Sequence, residues 1–330
     1  ARATGPQTSY NGIMTAPRPA PRDSTPNSPL PSPSSWRVAE RPYVLLVLAA
    51  LFWSGSFVIG RGVHETVPPI GLAFWRWAVA SLIILAIGTP HLIRDWPALR
   101  AGWKIIVILS VLGVTAYNTL AYIGLQTTSA INSVLMQSTM PVVIILMTFL
   151  LFGERFTLRQ AAGVLISLGG AVTIVTKGDW ATFLALSFNV GDIWVMGAVV
   201  GYAAYSALLR RLPAVHPLSL LTATFTTGTI VLAPFYVWET LVVRAVPVDL
   251  VTVGAVLYLA VFPSVLAFFC YNRGVIAIGA NRAGVFIHLV PVFGISMAIV
   301  FLGEVFSVTH LVGMGMIFAG VAIAARRARA

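Results

Sequence analysis

Few side chains in this sequence could do chemistry, and those few lie inside long apolar runs. Arg76 sits in Phe-Trp-Arg-Trp, and His288 is the histidine placed deepest in such a run. Pro141 and Pro291 each interrupt an apolar run. A proline there removes one helical hydrogen bond and frees the carbonyl four residues earlier, here that of Gln137 or Ile287. Ser133, Ser138, Gln137 and His288 stand beside these breaks. Trp53, Tyr117, Tyr122, Tyr202, Tyr205, Tyr258, Phe268 and Tyr271 are spread over four runs. Buried tyrosine hydroxyls need partners, so these rings predict a cavity with an apolar body and polar points. Such a set binds; it does not break bonds. It suits neutral or zwitterionic amphiphiles. Arg76 reads as a clamp for a carboxylate, or as an arginine that snorkels outward or caps carbonyls of a neighbouring helix. His288 reads as a substrate contact or as a satisfied core histidine.

The acids are as informative. Asp23, Glu40, Glu65, Asp95, Glu154, Asp179, Asp192, Glu239, Asp249 and Glu304 all avoid the middle of the runs. Ion-coupled pumps commonly place acids within the membrane, so facilitated or weakly coupled movement is expected. No His-Glu-x-x-His and no cluster of aspartates occurs, and Gly313-Met-Gly315 lies inside an apolar run instead of a nucleotide loop. The expectation is a protein that is not an enzyme and uses no cofactor and no metal.

The elements that must position these residues follow from composition. Hydrophobic residues make up 58% of the chain and charged residues 9%, against about 25% charged in soluble domains. No Lys, Arg, Asp, Glu or His occurs between Ile105 and Gly153. Crossing the hydrocarbon takes about 20 apolar residues in a helix. Ten spans are predicted: Tyr43–Gly60, Pro69–Gly88, Ile105–Leu125, Ala130–Gly153, Gln160–Thr176, Ile193–Leu209, Pro217–Trp238, Leu250–Asn272, Ala283–Gly303 and Ser307–Ala325. Long continuous runs exclude the alternating strands of a barrel. With the termini in the cytoplasm, only Arg61, Lys177 and Arg244 of the 21 basic residues fall in outward loops, and Arg76 falls within a span. That asymmetry fixes the orientation. The net charge of +11 is scattered at span ends, which speaks against nucleic acid as a partner. Residues 1–42, rich in Pro, Ser, Thr and Arg, are expected to be a disordered tail. Met14 is a candidate natural start, with residues 1–13 an added remnant. Cys270 is the sole cysteine and reads as a packing residue.

One phrase occurs twice. MPVVIILMTFLLFGE at 140–154 returns as VPVFGISMAIVFLGE at 290–304. At the same offset of 150, Gly124 meets Gly274, Gly163 meets Gly313, Gly170 meets Gly320, and Gly113 meets Pro263. Two units result, 43–177 and 190–325. Each holds five helices, and an odd number inverts the second copy. Glu154 and Glu304 therefore end on opposite faces, where each could stabilise the start of the following helix. Pro141, Pro291 and Pro263 are candidate hinges. Inverted repeats permit alternating access to a site between them.

These units resemble the EamA-type members of the drug/metabolite transporter superfamily. The resemblance is carried by Trp53-Ser54-Gly55-Ser56, Arg76 in the second helix, and the Pro…Gly-Glu helix ends. Within that superfamily the chain is similar to the YddG-type amino-acid exporters. The resemblance implies an all-α, ten-helix transporter of the bacterial inner membrane. It also implies export of amino acids or related metabolites through a central cavity. The alternative is export of drug-like compounds or other small metabolites, with proton coupling. It favours a structural place for Arg76. The partners expected are a small-molecule substrate and the lipid bilayer, with the chain a monomer or weak dimer.

Overall fold

The computed structural model describes residues 1, 41–128, 130–179, 181, 184, 188–302 and 307–325. The Pro-rich tail up to residue 40 and Glu304 lie outside the described residues. Among the described residues the fold is helical, without strands. Nine helical stretches there are long and apolar enough to cross a membrane, and a shorter apolar stretch, Pro42–Ser56, begins the chain's first helix.

Helix α1 (Pro42–Gly62) is followed by α2 (Pro69–Ala101), and both open on a proline, whose missing N–H is unneeded in a first turn. α2 runs well past the expected end at Gly88, through Pro90 and Pro97. Its extension is held by the neighbouring helix, as described below. The third span is not one regular helix. α3 (Trp103–Leu109) passes through a π-helical turn, Ser110–Ala116, into α4 (Tyr117–Gly124). The fourth span breaks at Thr139, between α5 (Ala130–Ser138) and α6 (Met140–Phe152), with Pro141 in the first turn of α6. α7 (Leu158–Val175) starts on Thr157, whose side chain and that of Gln160 form a capping box.

The second part of the chain repeats this order. α8 (Val190–Leu208) is capped by Asn189 with Asp192, and α9 (Pro217–Val242) follows. α10 (Leu250–Leu259) enters a second π-helical turn, Ala260–Leu266, before α11 (Ala267–Ile278). The short α12 (Ala280–Gly284), a 3₁₀ turn at Val285–His288 and α13 (Leu289–Leu302) follow in succession, and α14 (Val308–Ala325) is the last helix described. The two π turns begin at Ser110 and Ala260, 150 residues apart.

Lipid supplies no hydrophobic force between helices, so close contact rests on small residues and polar bonds. α7 and α14 run antiparallel in contact through four glycines. A Cβ on Gly170 would sit 2.6 Å from the Gly313 carbonyl, and one on Gly163 would sit 2.6 Å from the Gly320 carbonyl. α2 and α9 also pair antiparallel. Phe74 stacks on Tyr236 at 4.3 Å, and Ser81 and Thr229 share a hydrogen bond of 3.0 Å. At one end Glu239 accepts from the Ile70 and Gly71 N–H groups, at 3.1 and 2.6 Å. At the other, Asp95 accepts from the His216 N–H at 2.6 Å and the Ser219 hydroxyl at 2.7 Å. Each helix thus lends a carboxylate to the unpaired N–H groups that open the other. This is what holds α2 beyond Gly88. His91 stacks on His216 at 3.8 Å there. Burial, with His91 and Arg94 nearby, holds the His216 imidazole below its ordinary pKa.

Candidate functional site

A cavity of about 400 Å³ opens between α1, α2, α4, α5, α7, α8 and α13. Seven of the polar and aromatic residues singled out in the sequence line it: Trp53, Arg76, Tyr117, Tyr122, Gln137, Ser138 and Tyr202. So does Pro291.

Arg76 comes from the second turn of α2 and is 3% exposed. Its Nε donates to Ser264 Oγ at 2.7 Å, in the second π turn. Its Nη1 donates to Asn118 Oδ1 at 2.8 Å and to the Tyr122 hydroxyl at 2.9 Å, both on α4. The guanidinium also lies 5.2 Å from the Trp77 ring centre. It neither snorkels outward nor caps helix carbonyls; it ties three elements together through neutral side chains. Ser264 in turn donates to the Leu259 carbonyl, five residues back, at 2.8 Å. A wide π turn leaves carbonyls free for such use. Pro263 belongs to the same turn, and its carbonyl accepts from Trp53 Nε1 at 3.0 Å.

The aromatic wall forms around Trp53. Tyr202 meets its ring edge-on at 5.8 Å, and Tyr117 lies 4.7 Å from Tyr202. The Tyr117 hydroxyl donates to Gln137 Oε1 at 3.0 Å, joining α4 to the end of α5. Phe268 and Tyr271 do not line the cavity. Each is 1% exposed and packs behind Trp53, at 6.1 and 5.1 Å. Both lie on the inward face of α11, one helix further from the space, so they brace the wall. Tyr258 is not among the lining residues either: it packs over Gly55 and beside Phe262.

His288 is a satisfied core residue. Its Nε2 donates to the Ser138 carbonyl at 2.7 Å, and Ser167 Oγ bonds its Nδ1 at 2.6 Å. It holds the broken end of α5 against α7, with the Ser138 side between it and the cavity. Pro141 is buried and starts α6 without reaching the cavity. Thr157 and Gln160 cap the start of α7 without a hydrogen bond from Glu154. Its carboxylate instead accepts from Arg210 Nη1 at 2.8 Å.

Sequence reasoning missed Asn118, Ser54, Ser56, Lys177 and His310 as lining residues. Asn118 carried a signal, as an amide inside a run without charges. Lys177 read as a loop residue, and it reaches the cavity because the backbone turns back after α7, with φ of 54° at Lys177.

Comparison with known proteins fits this helical architecture. The EamA-like transporter family matches residues 41–176 and again 189–326. The chain belongs to that family, and it is an integral membrane protein of the transporter type. It is 26% identical over 283 residues to the uncharacterized transporter YyaM of Bacillus subtilis (strain 168), covering 84% of this chain and 92% of that protein. An uncharacterized transporter of Archaeoglobus fulgidus is 29% identical over 273 residues, covering 80% of this chain and 90% of that one. A probable terminal-alkyne amino-acid exporter of Streptantibioticus cattleyicolor is 26% identical over 282 residues, covering 86% and 92%. One crystal structure superposes with a TM-score of 0.70 at 21% identity, covering 86% of this chain and 96% of that one. That likeness concerns the fold alone.

Proposed function

We propose that this protein exports amino acids and related neutral or zwitterionic metabolites across a bacterial inner membrane. It works by alternating access between two inverted five-helix units, ten crossings in all, with both termini in the cytoplasm. The observation that carries this reading is the cavity. Its lining comes from both segments matched by the family, and it combines Trp53, Tyr117 and Tyr202 with Arg76, Asn118 and Gln137. An amphiphile with a short polar head suits such a lining. The relative described as a probable amino-acid exporter points the same way.

Reciprocal contacts support the inverted arrangement. Gly163 faces Gly320 while Gly170 faces Gly313, and these residues exchange under the offset of 150. Phe74 on Tyr236 and Gly88 on Thr222 exchange in the same way at an offset of 148. A twofold axis in the membrane plane generates such pairs. A second cavity of about 420 Å³, lined by Thr148, Glu154 and Arg210, lies toward the opposite end of α7 from Lys177. The 18 residues of α7 separate the two ends by about 27 Å. Between them Thr148 donates to Asn281 Oδ1 at 2.5 Å, and Ile144 packs on Gly284. These contacts support a reading in which one face of the carrier is open and the other closed.

Counterflow tests the reading. Proteoliposomes loaded with unlabelled neutral amino acids should take up a labelled one with no imposed pH or sodium gradient. Excess aromatic or aliphatic amino acid should suppress entry. Uptake no greater than in protein-free vesicles would sink the amino-acid assignment.

A further inference from the structure

We infer that the cavity recognises the carboxylate of its substrate and not an ammonium group, so that it also takes organic monocarboxylic acids with an apolar body and no amine. The inference rests on the carrier reading above and deepens it.

The first observation is an uncompensated buried charge. Arg76 is 3% exposed, and all its hydrogen-bond partners, Ser264, Asn118 and Tyr122, are neutral. Its Nη2 has no partner among the described residues. Guanidinium has no acceptor capacity, so what Arg76 has left to offer an anion is the pair of N–H groups on Nη2. A cation at that depth is costly unless an anion joins it.

The second observation is independent of Arg76. Asn118 Nδ2, Gln137 Nε2 and the Tyr202 hydroxyl are buried and have no partner among the described residues, and all three residues line the cavity. Asn118 is 3% exposed and Tyr202 2%. The acceptor atoms of both amides are already used: Asn118 Oδ1 by Arg76, and Gln137 Oε1 by Tyr117. What these amides have left to offer is N–H. Lys177 adds a second cation, and among the described lining residues none is Asp or Glu. The site therefore supplies donors and positive charge on several sides. It supplies no carboxylate to pair an ammonium. The apolar body of the ligand falls to Trp53, Tyr117, Ile287, Val290 and Ile295.

The test is a matched series on the purified full chain: phenylalanine, 3-phenylpropionate, phenethylamine and phenylalanine amide. Two readouts are taken, thermal stabilisation in detergent and competition with labelled amino acid in counterflow. The acid lacking an amine should act within about threefold of phenylalanine, and the two compounds lacking a carboxylate should be at least about tenfold weaker. Gln137→Glu keeps the acceptor for Tyr117 and puts an anion among the donors. It should weaken both acids about tenfold or more and strengthen phenethylamine. Lys177→Gln, on an exposed residue that leaves the core intact, should weaken the acids by a few-fold with the amine unaffected.

Phenethylamine or the amide matching the acids would overturn the inference, by assigning the ammonium to the aromatic faces. Acids unaffected by Gln137→Glu would overturn it as well, as would a failure of every acid to stabilise the protein at millimolar concentration. Amino acids that exchange while 3-phenylpropionate neither competes nor stabilises would sink it and leave the carrier reading standing. Stabilisation by 3-phenylpropionate without any amino-acid exchange would support the carboxylate site and remove the amino-acid reading.

Discussion

Arg76 is held by one hydroxyl from Tyr122, one amide oxygen from Asn118 and one hydroxyl from Ser264. Three weak acceptors on two other elements replace the single strong anion that a buried guanidinium usually has. The geometry spends Nε and Nη1 on the protein and leaves the N–H groups of Nη2 to offer. It also makes the fold depend on each acceptor, because a hydrogen bond to a charged group contributes about 1.5–3 kcal/mol. Tyr122→Phe removes one of the two acceptors on Nη1 and adds no bulk. It should lower stability by about 1.5–3 kcal/mol, read as a fall in melting temperature in detergent. An unchanged melting temperature would mean that Asn118 alone carries Nη1. His288 teaches the complementary point. A histidine with both nitrogens engaged, one by Ser167 and one by the Ser138 carbonyl, is a strut and not a relay.

At the scale of elements, the helices meet by backbone proximity more than by interlocking bulk. The α7–α14 pair is the clearest instance. Gly170 lies so near the Gly313 carbonyl that an added Cβ would sit at 2.6 Å, with Met316 and Ile317 at 2.9 and 3.0 Å. None of the first contact can yield, since it is backbone. Gly170→Val should therefore force the helices apart and cost about 1–3 kcal/mol. Gly315, on the partner helix α14 and with no atom near its Cβ position, is the control. Gly315→Val should leave the melting temperature close to the parent's, and equal losses at both positions would refute close packing as the cause. The π turns belong to this scale too. Neither contributes a lining residue of the cavity, and the second turns the Pro263 carbonyl toward Trp53 and Ser264 toward Arg76.

At the scale of the whole molecule, the proposed orientation makes a directional prediction. Cys270 is buried, so it can be replaced by alanine to give a background without thiols. In intact cells, a cysteine at Lys177 should react with an impermeant maleimide added from outside, and one at Glu154 only after the membrane is opened. Reaction of both from the same side would contradict the odd helix count of each unit. Lys177 also reports the cavity directly, and a bound substrate should slow its labelling.

Composition alone determined that this chain lives in lipid, because nothing else tolerates apolar runs of this length and so few charges. The spacing of Gly, Pro and Glu at 150 determined that the two halves share one plan, since the same packing and the same breaks demand the same small or ring-locked residues. Trp53, Arg76, Tyr117, Tyr122, Gln137 and Tyr202 were legible as candidates from polarity and depth. Which of the remaining candidates reach the space was not legible. Phe268, Tyr271 and His288 have the same types and depth as the lining residues, and only the rotation of their helices turns them behind the wall or into it. Helix rotation is set by contacts across the bundle, such as Gly163 on Gly320 and Glu239 on the start of α2, between residues far apart in the chain. The π turns escaped for a related reason. One extra residue in a helical turn leaves composition and hydropathy unchanged, and it is stabilised by partners such as Trp53 and Arg76 that only the folded bundle brings within reach.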